Sequence, residues 1–309
     1  MRVVCTDGVT LAGYEHGDPS RPTLVAVHGY PDDHRVWDGA VAILAQRYHV
    51  VTYDVRGSGE SDAPSTRSGY RMPQLVADLG AVLDAVSPER PVHLLAHDWG
   101  SIQSWAAVCD RDVAERVASF TSISGPSLDH AGAWLLDARH HAWASARQLL
   151  GSSYIALFQV PGLPEKLLRG AGNDRLSAAI SRIGRTARAS GDVPPRTEAN
   201  KINGLELYRA NMLRHVGRPR PQHTAIPVQV LAPAGDLFVT PAMQTEAPRP
   251  YATNLRTRTI AGGHWVVSHQ PDVIARLTTE FIELVEAGTA EPDAAATPRD
   301  RTGRSPGSS

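Results

Sequence analysis

From residue 1 to about 125, short apolar runs alternate with amphipathic stretches, and this alternation constrains the fold more than any other feature of the chain. Val3–Cys5 and Thr10–Tyr14 read as opening strands around a turn at Asp7-Gly8, and Thr23–Val27 as a third strand that stops at His28-Gly29. Val36–Gln46 has helical spacing, Val50–Tyr53 reads as strand, Pro73–Val86 as helix and Val92–Leu95 as strand. Gly100–Cys109 (helix) and Val117–Ile123 (strand) continue the pattern. Strands that alternate with helices pair mostly in parallel, because each helix carries the chain back across a face of the sheet. Between Ser127 and Pro221 the rhythm breaks: apolar residues fall at helical spacing with no strand pattern. It resumes with strands Val228–Leu231 and Leu255–Ile260 and helices Pro241–Ala247 and Asp272–Glu286. The expected architecture is an α/β fold, a mostly parallel eight-stranded sheet flanked by helices, with a helical cap inserted after the sixth strand. The cap would take residues 127–222, between core segments 1–126 and 223–287. Inserted there, it would cover the carboxyl ends of the strands, where open α/β sheets bind their ligands. Residues 288–309 turn to Ala, Pro, Thr, Arg, Gly and Ser, a composition that cannot bury a core and is expected to be a disordered tail.

A chain of 309 residues buries about three quarters of its unfolded surface. Its two cysteines, Cys5 and Cys109, are therefore not needed as a staple. A formal net charge of -1 gives no electrostatic reason to bind nucleic acid or an anionic membrane. The first residues lack the basic start and apolar run of a signal peptide, and no apolar stretch reaches membrane-spanning length. A cytoplasmic location is the expectation. Lys166 and Lys201 are the only lysines beside many arginines, which reads as composition bias.

The residues that carry chemistry stand at strand ends. Ala96-His97-Asp98-Trp99-Gly100 directly follows an apolar strand and directly precedes a helix, in the form small-x-acid-x-small. A tight strand-to-helix turn that lifts a nucleophile above a sheet needs little bulk two residues either side. Asp98 occupies that central place, and no Gly-x-Ser-x-Gly is found elsewhere. A carboxylate is already ionised at neutral pH, so it can attack an alkyl carbon without a base; the bland reading of Asp98 is a helix N-cap. His28-Gly29-Tyr30-Pro31 follows the third strand, so the backbone N–H groups of Tyr30 and Trp99 together make a candidate oxyanion hole. Asp236, in Pro-Ala-Gly-Asp, follows the strand Val228–Leu231, and His264, in Gly-Gly-His-Trp, follows the strand Leu255–Ile260. An acid that orients a histidine, which then deprotonates water, completes a nucleophile–acid–histidine order. His269 competes with His264 but falls at the start of the last helix.

Over about residues 5–286 the chain resembles the epoxide hydrolases of the α/β-hydrolase fold superfamily. The matching pieces are HGYPDDHRVWD, YDVRGSGESD, LLAHDWGS, PAGD and GGHW. The resemblance implies two cap tyrosines that hydrogen-bond the epoxide oxygen, matched by Tyr154 in YIALFQVPG and Tyr208 in LYRANM. It also implies a covalent Asp98 ester, an apolar epoxide and water as the reactants, and no cofactor or metal. VASFTSISGPSLDH further resembles the hydrolase half of bacterial fusions of an epoxide hydrolase with a short-chain dehydrogenase; the polar tail is expected to end the chain without that second half.

Alternatives share the scaffold. A haloalkane dehalogenase would use the same Asp98 and bind halide with Trp99, with Trp134 or Trp143 as second donor. Fluoroacetate dehalogenases fit less well, since Arg usually follows their nucleophile. A non-catalytic receptor for a small hydrophobic molecule is the third reading. The Asp54-Val55-Arg56-Gly57 loop reads as structural, Gly57-Ser58-Gly59 as a turn, and His93, His97, His140 and His141 as surface or supporting residues rather than metal ligands. Trp134, Leu135, Leu136, Trp143, Ile155, Leu157 and Phe158 suggest an apolar substrate pocket in the cap.

Overall fold

A computed structural model describes residues 1–169 and 195–289. Eight strands form one sheet in the order β1-β2-β4-β3-β5-β6-β7-β8. They are β1 (Arg2–Val4), β2 (Thr10–His16), β3 (Thr23–Val27), β4 (His49–Tyr53), β5 (Val92–His97), β6 (Val117–Ile123), β7 (Val228–Pro233) and β8 (Leu255–Ile260). β1 and β2 join antiparallel, and every pairing from β4 to β8 is parallel. β3, β4, β5 and β7 are buried along their whole length, as expected for parallel strands covered on both faces.

Four helices cover those faces. α2 (Met72–Val86) and α3 (Trp99–Cys109) pack Leu79, Val82, Leu83 and Trp105 onto Val25, Val51, Leu94 and Phe120 of one face. α1 (Asp38–Leu44) and α12 (Pro271–Glu286) pack Leu44, Ile274 and Ile282 onto Leu24, Leu95 and Leu231 of the other. The helix expected over Val36–Gln46 divides into a 3-10 turn, His34–Trp37, and α1, because Asp33 accepts from the Arg35 N–H and starts the chain turning early. The last helix is preceded by a single turn, α11 (Val266–His269), which holds His269.

The chain leaves the sheet after β6 and returns at β7. Among the described residues between them lie helices and no strand: α5 (Leu128–Leu136), α6 (Ala142–Gly151), α7 (Tyr154–Phe158), α8 (Leu163–Leu168) and α9 (Glu198–His215). α4 (Arg111–Ala114) precedes β6 and α10 (Pro241–Glu246) follows β7. The tail expected over 288–309 lies, from residue 290 onward, outside the described residues. Among the described residues no helix is long and apolar enough to cross a membrane.

Helix α9 is fixed to the sheet by three asparagines. Asn200 accepts from the Gly59 N–H, Asn203 donates to the Gly57 carbonyl, and Asn211 accepts from the Met72 N–H and donates to the Tyr70 carbonyl. The loop they grip is itself rigid. Asp54 accepts from the His34 and Glu60 N–H groups and the His34 ring, and Gly57 and Gly59 turn it at positive φ. Beside it Arg56, 1% exposed, forks onto Asp78 through Nε and Nη2 at 2.6 and 2.5 Å and reaches Asp7 through Nη1 at 2.8 Å. Asp78 is equally buried, so removing one partner strands a charge. R56M is expected to lower the unfolding free energy by about 3–5 kcal/mol. Urea denaturation followed by circular dichroism measures it; a loss below about 1 kcal/mol would equate the pair with a surface salt bridge.

Candidate active site

Strand β5 delivers Asp98 to the elbow in a conformation few side chains adopt, φ 51° and ψ -122°. Holding a non-glycine residue there costs about 1–3 kcal/mol, so the surroundings must enforce it. The carboxylate makes no capping bond to α3, which sets aside the N-cap reading. The need for small neighbours is explicit. A Cβ on Gly100 would lie 2.3 Å from the Val27 carbonyl oxygen, and one on Gly125 would lie 2.1 Å from that of Asp98. A Cβ on Gly29 would meet the Asp98 carboxylate itself at 2.4 Å.

The carboxylate is held at both oxygens. Oδ1 accepts from the Tyr30 N–H at 2.7 Å, and Oδ2 lies 3.5 Å from His264 Nε2. The Trp99 N–H also favours the charged form. Burial pushes the Asp98 pKa up, but the His264 contact and charge outweigh it, and the carboxyl ends below its ordinary range. His264 Nδ1 in turn faces both oxygens of Asp236, at 3.2 and 3.1 Å. Burial alone would lower the imidazole pKa; the Asp236 and Asp98 carboxylates override it and carry it up to about 10. At rest the site is thus an imidazolium between two carboxylates.

Asp236 is itself oriented from three sides. The Phe238 and Val239 N–H groups donate to Oδ1 at 2.9 and 3.0 Å, and Gln244 donates to Oδ2 at 3.2 Å. Gln244 also accepts from the N–H of Ser124, a second strained residue (φ 55°) at the end of β6. His97 meets the His264 backbone carbonyl at 2.8 Å through Nε2. Burial and the nearby His264 charge lower its pKa to about 4, so it stays neutral and props the histidine loop.

A cavity of about 250 Å³ opens in front of Asp98 and His264. Tyr30, Tyr154, Phe158, Tyr208, Phe238 and Trp265 form much of its wall. Tyr154 on α7 and Tyr208 on α9 enter from the insertion with their rings 6.1 Å apart, close enough for each phenol to influence the other. Burial, then the Asp98 charge for Tyr154 and the Tyr154 and Asp98 charges for Tyr208, push both phenols well above their ordinary value. Both remain protonated donors. Arg209 ties their two segments together: from α9 it donates to the carbonyls of Phe158 and Val160 at 2.8 and 3.1 Å. A larger groove of about 760 Å³, between α2, α3 and the end of α9, contains none of these groups.

The structure thus brings Asp98, His264, Asp236, Tyr154, Tyr208 and the Tyr30 amide to one cavity. Other expectations need correction. Trp134 spends its indole N–H on Glu246, and Trp143 is 81% exposed, so neither lies at the cavity as a halide donor. Of the apolar insertion residues, Leu157 and Phe158 line the cavity, whereas Leu136 faces solvent. His93 and His97 are buried, because β5 is covered on both faces, so of the two readings given to them, surface or supporting, the supporting one remains. Gln244, Arg196 and Lys201 were not singled out by sequence. Gln244 sits eight residues past Asp236 on an otherwise ordinary helix, and the two cations acquire meaning only from the cavity they line.

Comparison with known proteins agrees with this geometry. Residues 22–268 match the family described as alpha/beta hydrolase fold. The probable oxidoreductase EphD of Mycobacterium tuberculosis is 36% identical over 91% of this chain, which spans only 49% of that relative's length. Epoxide hydrolase 4 of Mus musculus is 29% identical over 86% of this chain and 74% of its own. The crystal structure of Bacillus megaterium epoxide hydrolase with an inhibitor superposes with a TM-score of 0.74 at 21% identity, over 92% of this chain and 100% of that one. Sheet order, strained acidic elbow, the chain order Asp98, Asp236, His264 and the family match converge, and the chain belongs to the α/β-hydrolase fold family.

Proposed function

We propose that the chain is an epoxide hydrolase that converts an apolar epoxide to a vicinal diol through an ester of Asp98. The observation that carries this reading is the pairing of two buried, protonated phenols with an ionised carboxylate in one apolar cavity. An epoxide needs both at once: a nucleophile on carbon and a proton for the departing oxygen.

In the first step Asp98 Oδ2 attacks a ring carbon. The C–O bond of the epoxide breaks toward the oxygen, which takes a hydrogen bond from one tyrosine and a proton from the other. The Tyr30 amide keeps Oδ1 in place as the carboxylate becomes an ester. Alkylation removes the Asp98 negative charge that helped raise the His264 pKa. The imidazolium then yields its proton to the tyrosinate left by ring opening, which restores that phenol, and the neutral ring becomes a base for water. Water attacks the ester carbonyl carbon, the Tyr30 and Trp99 amides hold the oxyanion, and collapse releases the diol and restores Asp98.

Product analysis tests the reading. The protein is mixed with a panel of epoxides and haloalkanes, and products are followed by mass spectrometry. Diol formation is expected; release of halide and alcohol without diol would instead favour a dehalogenase, and no product from either set would sink both. Tyr208→Phe is expected to lower kcat/KM by about tenfold while Tyr154 remains, and the double Phe variant by about 10² or more. Unchanged turnover in the double variant would remove the tyrosines from the chemistry.

A further inference from the structure

Helix α6 reverses the usual order of an amphipathic helix, in which apolar residues face the core and polar ones the solvent. Its inward residues Ser145 and Gln148 are polar and buried. Gln148 donates to the Phe238 carbonyl at 2.8 Å and accepts from the Thr240 N–H at 2.7 Å. Hydrogen bonds thus pin the helix to the segment between β7 and α10, with Ala144 packed against the small cluster of Trp134 and Met243. Trp143, Ala146, Arg147 and Leu150 occupy the opposite face, at helical spacing i, i+3, i+4 and i+7. Trp143 is 81% and Leu150 76% exposed, and Leu149 beside them faces solvent too. A single exposed leucine needs no explanation. A helix that turns a tryptophan and two leucines outward leaves an apolar surface without a partner among the described residues.

The charge around this face has one sign. Arg139, on the turn that leads into α6, has its side chain 80% exposed, and Arg147 stands between Trp143 and Leu150. No acid occurs between Asp137 and Glu165. Asp137 already meets the His140 ring at 2.7 Å and Arg139 at 3.5 Å, and Glu165 is held by Arg209. The whole-chain charge of -1 conceals this local excess. A second copy of the chain fits the face badly, because a two-fold contact sets each patch against itself and brings arginine toward arginine. A bilayer surface with anionic headgroups accepts the whole set. Tryptophan and leucine enter the boundary between headgroups and acyl chains, while the arginines stay among the phosphates.

The face also adjoins the catalytic cavity. A Cβ on Gly151, the last residue of α6, would lie 2.4 Å from the Leu237 carbonyl oxygen. Leu237 is half-exposed, and its neighbour Phe238 lines the cavity. We propose that α6 docks the chain on an anionic membrane surface, with Trp143 and Leu150 as apolar anchors and Arg139 and Arg147 as electrostatic ones. The contact is interfacial and needs no spanning segment.

Docking is measured without substrate, so its outcome is independent of the epoxide reading. The full chain is floated with vesicles of phosphatidylglycerol and phosphatidylcholine in equal parts, and with vesicles of phosphatidylcholine alone. Binding to the anionic vesicles is expected to be about tenfold or more tighter. Each cation near an anionic surface is worth about fivefold, so Arg139→Gln with Arg147→Gln is expected to weaken that binding about 20-fold. Trp143→Gln with Leu150→Gln is expected to weaken it about tenfold or more. Because all four side chains are exposed, an unchanged thermal transition is expected in both double variants. Quenching of tryptophan fluorescence by bromine-labelled lipid is expected in the unaltered chain and is expected to diminish in Trp143→Gln. Absence of co-flotation, equal binding to neutral vesicles, or binding that survives both double substitutions overturns the proposal. A dimer seen by light scattering and dissociated by the same substitutions, with no vesicle binding, also overturns it and gives the face to a second copy.

Discussion

Asp98→Ala is expected to abolish diol formation, with kcat falling at least about 10⁴-fold against the unaltered chain. The size follows from what the residue supplies. In the proposed mechanism an Asp98 carboxylate oxygen forms the bond to carbon, and its neighbours are built around it. The Tyr30 amide donates to its oxygen, Gly29 makes room for it, and the His264 ring faces it at 3.5 Å. None of these groups can attack carbon in its place from the observed geometry. A companion measurement uses the intact enzyme in water enriched in heavy oxygen. Because the proposed mechanism directs water to the ester carbonyl carbon rather than the alkyl carbon, label is expected to enter the Asp98 carboxylate over repeated turnover. Peptide mass spectrometry reads it. Full activity in the Ala variant, or an Asp98 peptide that never gains mass, would show that water opens the ring directly.

His264→Gln separates the two halves of the reaction. Asp98 needs no base to attack, so the variant still forms the ester, but no group remains to deprotonate water. Turnover is expected to drop by about 10³–10⁴-fold while intact-protein mass spectrometry shows one substrate added per chain. The unaltered enzyme provides a pH version of the same test. His264 sits at about 10 at rest, and conversion of Asp98 to a neutral ester takes away one cause of that elevation. Asp98 itself is held below its ordinary 3.8, so attack continues in acid while water activation needs the neutral imidazole. Lowering pH should therefore slow hydrolysis before it slows alkylation, and ester should build up on the acid side. A loss of turnover in acid with no adduct would place the sensitive group in the first step.

Much of this was legible before the structure because the relevant constraints are local. A strand-to-helix elbow tolerates only small flanking residues, so Ala96 and Gly100 announce a turn that, at Gly100, the Val27 carbonyl oxygen 2.3 Å from a Cβ then explains. Strand ends carry the acid and the histidine in chain order, and parallel pairing of β5, β6, β7 and β8 brings them together. What sequence did not reveal depends on contacts between distant segments. Gln244 matters because it bridges Asp236 and Ser124, and Arg196 because Asp32 and Trp265 place it. Trp143 misled for the opposite reason: a large apolar residue at helical spacing suggests a pocket, yet it faces solvent.

Arg209 divides the insertion into parts with different freedom to change. It binds the carbonyls of Phe158 and Val160 while Glu165 and Glu206 hold its Nη1 at 2.6 and 2.8 Å. Through Asn200, Asn203 and Asn211, α9 is in turn locked to the core. Both tyrosines consequently travel with the sheet as one mechanical unit. Helix α5 is also tied to α9, through Asp129 and the His215 ring at 2.8 Å, but Leu136 of α5 and Trp143, Leu149 and Leu150 of α6 face solvent. Sequence drift or laboratory diversification at those exposed positions can reshape the outer surface of the molecule without loosening the two tyrosines, whereas any change at Arg209 perturbs both at once.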